Sequence, residues 1–208
     1  MNGRLSVRPE VVRKLREEHD TVFTKGIDAT YEMLRSEPHR LNRLDYTSNV
    51  IKEVLRFYSV GNTARAAHPT DKFLTYEGVK YPIEGKNMSP VHFCMHLNEE
   101  IFPNAKQFDP DRFERGDFPR HAWRPFERGP RGCLGQSLAT DALKLMLLLT
   151  VREFDFTCAD LKPNKTPRVE WFDWDLTFGD RAFQEYVFDS RPRDGVPMTV
   201  KQSDWKSW

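Results

Sequence analysis

Cysteine is scarce in this chain, and what there is does not pair. Cys94, Cys133 and Cys158 are spread over 208 residues with no Cys-x-x-Cys spacing. That excludes a zinc ribbon and offers no disulfide framework, so reduced thiols are expected. Long apolar runs are lacking too. The longest, Leu145 to Leu149, falls far short of the ~20 residues that span a bilayer. No signal sequence follows Met1, which places the expected chain on the cytoplasmic side with no transmembrane segment. Net charge is nearly absent at +1, so no global field gathers nucleic acid or acidic lipid. Repeats and low-complexity tracts are absent as well. Counted with glycine and without tyrosine, apolar residues reach about 40%, against roughly 45–50% in ordinary domains. Fifteen Phe and five Trp nevertheless argue against disorder. Many aromatics with few aliphatics suggest a core that a ligand or further chain completes.

In chain order, Ser6 to Phe23 reads as an amphipathic helix with Pro9 early and a stripe at Val11, Leu15 and Val22. Ala29 to Arg35 is a short helical patch ending before Pro38. Val50 to Tyr58 is a stronger helix, apolar at Val50, Ile51, Val54, Leu55 and Tyr58. Glu53 and Arg56 fall opposite that stripe, and their spacing alone describes a solvated ion pair. Val60 to Ala67 and Phe73 to Ile83 read as short strands, with a turn at Glu77-Gly78. Val91 to Leu97 is expected to extend the sheet. There His92, Cys94 and His96 would share one strand face, a conceivable metal site without an evident fourth ligand.

Phe102 to Trp123 is loop-like, with Pro103, Pro110 and Pro119. Arg112, Arg115, Arg120, Arg124, Arg128 and Arg131 form a basic segment interleaved with Phe113, Phe118, Trp123 and Phe126. Asp111, Glu114, Asp117 and Glu127 dilute it, so a small anionic ligand is expected in place of single-stranded nucleic acid. Gln136 to Arg152 reads as a buried helix, apolar nearly all round. Beyond it, Glu153 to Cys158, Val169 to Phe178, Ala182 to Phe188 and Met198 to Lys201 are strand-like. The last follows an Asp194-Gly195 turn and is expected to close a hairpin.

One stretch organises the rest: Phe126-Glu127-Arg128-Gly129-Pro130-Arg131-Gly132-Cys133-Leu134-Gly135. It places a thiol on a glycine-bracketed loop where a helix begins, and free amides and the helix dipole there favour a thiolate. Such a thiolate can be a metal ligand or a nucleophile. The nucleophile reading makes the chain a thiol hydrolase, with His96 or His121 as its base.

The pattern Phe126-x-x-Gly129-x-x-x-Cys133-x-Gly135, with Arg131 two residues before the cysteine, resembles the haem-binding signature of the cytochrome P-450 superfamily. The upstream order is similar too: Glu53-x-x-Arg56, then Arg65, then Asp109-Pro110-Asp111-Arg112-Phe113. The resemblance implies a mixed fold, mainly α with small antiparallel β-sheets. Residues 1–208 would be the C-terminal part of a single domain, with a haem-binding cysteine loop leading into a buried helix. It implies haem b as cofactor, with Cys133 as axial ligand and catalytic residue and Phe126 packed beside the thiolate. Gly129 would shape the loop and the amides near Gly135 would bond the sulfur. Arg65 and Arg131 would pair with the haem propionates. Glu53, Arg56 and Arg112 would form a buried charge cluster, replacing the solvated pair that spacing suggests. Val60, Gly61, Asn62, Thr63 and Ala64, with Val196, would face the substrate.

The implied activity is monooxygenation of a small apolar organic substrate with molecular oxygen, using electrons from an NADPH-dependent reductase. Full-length relatives of this type are typically anchored in the endoplasmic reticulum membrane. No Ala-Gly-x-x-Thr-like stretch precedes the first helix, so the family's distal oxygen-activating helix and its N-terminal anchor are expected to lie outside these residues. A truncated chain, catalytically incompetent alone, is the alternative expectation.

Overall fold

A computed structural model of the chain describes residues 5–61, 63–159, 162, 165–166, 184–186, 190–192 and 195–205. Helices α1 (Pro9–Val22) and α2 (Ile27–Ser36) come first, followed by a 3-10 turn over Pro38–Arg43 and then α3 (Asp45–Phe57). Pro9 opens α1, a position where a missing amide hydrogen goes unnoticed.

Helix α3 is the hub of the molecule. It touches α1, α4 (His92–His96), α5 (Arg112–Arg115) and α6 (Gln136–Thr150). Val50, Ile51, Val54 and Phe57 join Leu15, Leu97, Phe108, Leu147 and Val151 in the main apolar cluster. Each such side chain contributes on the order of 1.5–3 kcal/mol when fully buried. Leu44, at the helix start, has no side-chain acceptor for the first free amides. Glu18 of α1 takes that role from across the interface: it accepts from the amides of Tyr46 (2.6 Å) and Thr47 (2.8 Å) and from the Thr47 hydroxyl (2.6 Å). Glu18→Ala is therefore expected to cost about 1–2 kcal/mol, as loss of a helix cap does. Urea denaturation measures this, and a loss of only a few tenths would remove the cap from the account.

Among the described residues the strands form four two-stranded antiparallel sheets. β1 (Arg65–Ala66) pairs with β4 (Asn87–Met88), and β2 (Phe73–Tyr76) with β3 (Val79–Pro82). β5 (Phe154–Cys158) pairs with β8 (Met198–Gln202), and β6 (Gln184–Tyr186) with β7 (Ser190–Pro192). The β2–β3 turn is Glu77-Gly78, at φ 47° and 79°. Two positive values suit the right-handed twist of a hairpin. The architecture is the expected one: mixed, mainly helical, with small antiparallel sheets.

Several local expectations are corrected. Val91 to Leu97 is no strand: its central residues form α4. Among the described residues of Val60 to Ala67, strand structure is limited to Arg65–Ala66. The last strand does not close a hairpin with its neighbour but pairs with β5, directly after α6. The expected strand over 169–178 lies outside the described residues. Helix α6 is not buried all round. Only Lys144, Leu147 and Leu148 are buried: Leu147 packs against α3, Leu148 against Val22, Phe23 and Leu44, and Lys144 donates to Leu41 O, whereas Leu138 is 77% exposed.

Candidate functional site

Cys133 lies two residues before Gly135, the N-cap of α6, and is exposed. The loop that carries it is closed by its own backbone. The Cys133 amide donates to Phe126 O (2.8 Å) and the Gly132 amide to Gly129 O (2.9 Å). Gly129 has φ +74°, a left-handed value that a side chain would strain. A Cβ at Gly132 would meet Gly129 O at 3.3 Å, while one at Gly135 would lie 3.8 Å from the Cys133 sulfur. Phe126 packs edge-on against Trp123, whose indole N–H bonds Lys52 O of α3 at 2.9 Å.

Below the loop, Glu53, Arg56 and Arg112 have no exposed side-chain surface. Arg56 grips both oxygens of Glu53 (2.8 and 2.9 Å), and Arg112 Nε reaches Oε1 at 3.2 Å. The guanidiniums also donate to the carbonyls of His96, Pro103, Asn104 and Gln107. One carboxylate thus faces two cations, and converging carbonyl dipoles share the excess charge. The solvated pair that spacing suggests is corrected here. Residues 103–112 fold over the polar side of α3, so both of its faces are covered.

A second carboxylate, with no local pattern to single it out, connects this cluster to the cysteine loop. Glu127 has φ +58° and a side chain only 5% exposed. Its Oε1 accepts from the Thr63 hydroxyl (2.9 Å) and His92 Nε2 (3.0 Å). Its Oε2 accepts from Arg124 (2.7 Å) and the Arg128 amide (3.1 Å). Burial alone would push this carboxyl up, but the bonds from Arg124, Thr63 and the Arg128 amide outweigh it and hold it at about 2. His92 Nδ1 meets Gly61 O at 3.1 Å. His96 Nε2 accepts the Arg124 amide at 3.0 Å, while its own carbonyl accepts from Arg56 at 2.6 Å. Hydrogen bonds therefore run from α3 through His96 and Arg124 to Glu127, and back through His92 to the segment that follows α3.

Residues 3–175 match the family described as Cytochrome P450. The chain belongs to the cytochrome P450 family. It is 36% identical to Cytochrome P450 monooxygenase ptmJ of Penicillium ochrochloron, over 92% of this chain and 36% of that protein. It is 34% identical to Cytochrome P450 monooxygenase polC of Polytolypa hystricis, over 94% of this chain and 36% of that protein. Cytochrome P450 monooxygenase PC-23 of Penicillium crustosum is 37% identical, over 73% of this chain and 76% of that protein. The chain spans little more than a third of the length of the first two relatives.

Within this P450 chain, Arg65 and Arg131 have donors to spare. The Arg131 guanidinium is exposed and bonds no described residue. Among the described residues, Arg65 donates one long bond, 3.4 Å to Ala64 O, and lies 3.9 Å from Glu127 Oε1. Leu134 is fully exposed beside Cys133, and Val60 and Leu138 are exposed as well. An open thiol, unspent guanidiniums and bare apolar side chains fit a flat apolar macrocycle that carries carboxylates and a metal. Gly61 and Ala64 are exposed and Thr63 half-buried, while Asn62 lies outside the described residues. Val196 is half-buried next to β8, which pairs with β5 beyond the C-terminal end of α6, whereas Cys133 is at the other end of that helix.

The metal site that spacing suggests loses its geometry. On helix α4, His92 and His96 are buried while Cys94 is exposed, so the three share no face, and no metal-binding group of three occurs among the described residues. For a hydrolase, His96 Nε2 is taken by the Arg124 amide and His121 Nδ1 lies 3.2 Å from Arg128. Much of the basic segment is also occupied internally. Arg112 is buried, Arg115 pairs with Asp109 and Asp117, and Arg124 pairs with Glu127. No helix among the described residues is long and apolar enough to cross a membrane.

Proposed function

We propose that this chain forms the proximal, thiolate side of a haem-dependent monooxygenase, with Cys133 as the axial ligand of haem b and residues 1–208 as part of a single domain. The observation that carries this reading is the exposed Cys133 thiol at the start of α6, on a loop whose buried Glu127 is bonded by Arg124, Thr63 and His92. When bound, the haem supplies oxygen activation, which a thiolate ligand promotes by donating electron density.

The chain's own residues supply position and charge. Cys133 presents its sulfur, and the backbone bond to Phe126 O holds the loop that carries it. Arg65 and Arg131 each offer a guanidinium fork that suits a propionate carboxylate. Phe126, held against Trp123, shields one side of the sulfur, and Gly129 permits the turn beneath it. Exposed Val60, Gly61 and Ala64, with Thr63 at the edge, line the substrate side, to which Asn62 and Val196 are also assigned. The substrate is a small apolar organic molecule, the co-substrate molecular oxygen, and the electron donor an NADPH-dependent reductase, with the chain on the cytoplasmic side of a membrane.

Cys133→Ser tests the assignment. Purified chain titrated with haem, reduced and exposed to carbon monoxide is expected to give the thiolate-type Soret band, and the serine variant to lose it entirely. A serine variant that keeps the band would displace Cys133 as the ligand.

A further inference from the structure

Of the residues assigned to the haem, Arg131 and Cys133 share one loop, while Arg65 comes from a separate part of the chain. Something must set Arg65 relative to Cys133, and among the described residues β1 pairs with β4 alone. The contact between the two segments is made instead by Glu127. Its Oε1 takes the Thr63 hydroxyl and His92 Nε2, and its Oε2 takes Arg124 and the Arg128 amide. The segments are also close in backbone: a Cβ on Gly61 would lie 3.6 Å from Pro125 O. His92 bridges them a second time, with Nδ1 at Gly61 O and Nε2 at Glu127. Both of those partners are acceptors, so each contact is a hydrogen bond only when that ring nitrogen carries a proton.

We propose that Glu127 is a positioning residue for Cys133: its carboxylate is the fixed joint between the cysteine loop and residues 61–65, so that Cys133 and Arg65 are set as one unit. The proposal rests on the reading of Cys133 as the haem ligand. Its chemistry depends on a carboxylate in particular. Four donors converge on two oxygens, and a glutamine would direct an NH2 at donors on one side. A buried donor facing a donor loses its bond and gains a repulsion. Glu127 leaves Arg65 available, because at 3.9 Å the guanidinium is near the carboxylate yet not hydrogen-bonded to it.

Hydrogen–deuterium exchange on the haem-free chain tests the joint directly. In Glu127→Gln, amides of residues 126–133 and of residues 61–65 are expected to exchange at least tenfold faster, together, while those of α3 keep their wild-type rates. Thr63→Val, which removes a single bond, is expected to move both segments in the same direction by less, and it serves if the glutamine variant does not fold. Exchange within twofold of wild type in either segment for these variants would overturn the proposal.

A second measurement separates positioning from general stability. At equal haem occupancy, Glu127→Gln is expected to convert part of the carbon-monoxide Soret band from thiolate-type to thiol-type, whereas Glu18→Ala leaves the ratio unchanged. An unchanged ratio in Glu127→Gln would also overturn the proposal. Should wild-type chain take up no haem, the ligand reading fails while the exchange result still decides on Glu127.

Discussion

Replacing Glu53 with alanine is expected to cost about 3–5 kcal/mol of folding stability, the range for removing one partner of a buried ion pair. Arg56 and Arg112 have no exposed side-chain surface, and Glu53 is the carboxylate shared between them. Its Oε1 also accepts the Asp109 amide at 2.9 Å. Without it, two guanidiniums remain in the interior with only carbonyl oxygens for company. A domain of this size holds only about 5–15 kcal/mol in total. Glu17→Ala is the internal control. Arg13 and Glu17 are also helical neighbours, at 2.6 Å, but about half exposed, and pairs of that kind contribute roughly 0–1 kcal/mol. Urea midpoints at constant slope measure both variants. A Glu53→Ala loss no larger than that of Glu17→Ala would contradict the account.

Acid is expected to weaken the fold well before carboxylates titrate. Burial, reinforced by Arg152, pushes His19 down to about 3, and burial with His92 and Arg56 pushes His96 down to about 4. The geometry agrees with neutral rings. The Thr47 hydroxyl donates to Glu18 and so receives the proton of His19 Nε2, and His96 Nε2 accepts the Arg124 amide. In the folded chain both rings therefore stay neutral where the unfolded chain takes up a proton on each. The stability this provides is complete above the ordinary histidine value of about 6.5 and is lost as pH falls below it. Two such groups give a slope of up to about 2.7 kcal/mol per pH unit between pH 6 and 4.5. Below about 4.5, Glu127 adds to the loss, because its folded carboxyl resists protonation down to about 2. Denaturation midpoints across pH 7 to 4.5 read the slope, and His19→Gln should roughly halve it. A flat profile over that interval would show that neither ring is held neutral.

How much of this was legible in the sequence depended on how local each feature is. The β2–β3 hairpin was readable because Glu77-Gly78 carries its own turn chemistry. The α1 and α3 stripes were readable because helix period and burial agree there. His92 to His96 was misread because five residues fit both periods: alternation suggests a strand face, while an i, i+4 histidine pair equally suits a helix. Contacts with Glu127 and Arg124, some 28 to 35 residues away, decide it.

Glu53 and Arg56 were opaque to periodicity for the same reason, since the residues that bury them follow about 50 positions later. Only the family resemblance pointed there. By local pattern Glu127 is only an acid diluting a basic segment, because its most informative partner, Thr63, is 64 residues upstream. The apolar run of α6 was over-read. Composition records that a side chain is apolar, and whether anything covers Leu138 or Met146 is a matter of tertiary structure.

Cys133, as the proposed ligand, is the group these networks serve. X-ray absorption at the iron edge of haem-loaded chain tests that assignment most directly. One sulfur scatterer in the first coordination shell, absent in Cys133→Ser, is the predicted result. A first shell of nitrogen and oxygen alone in the wild-type protein would contradict it.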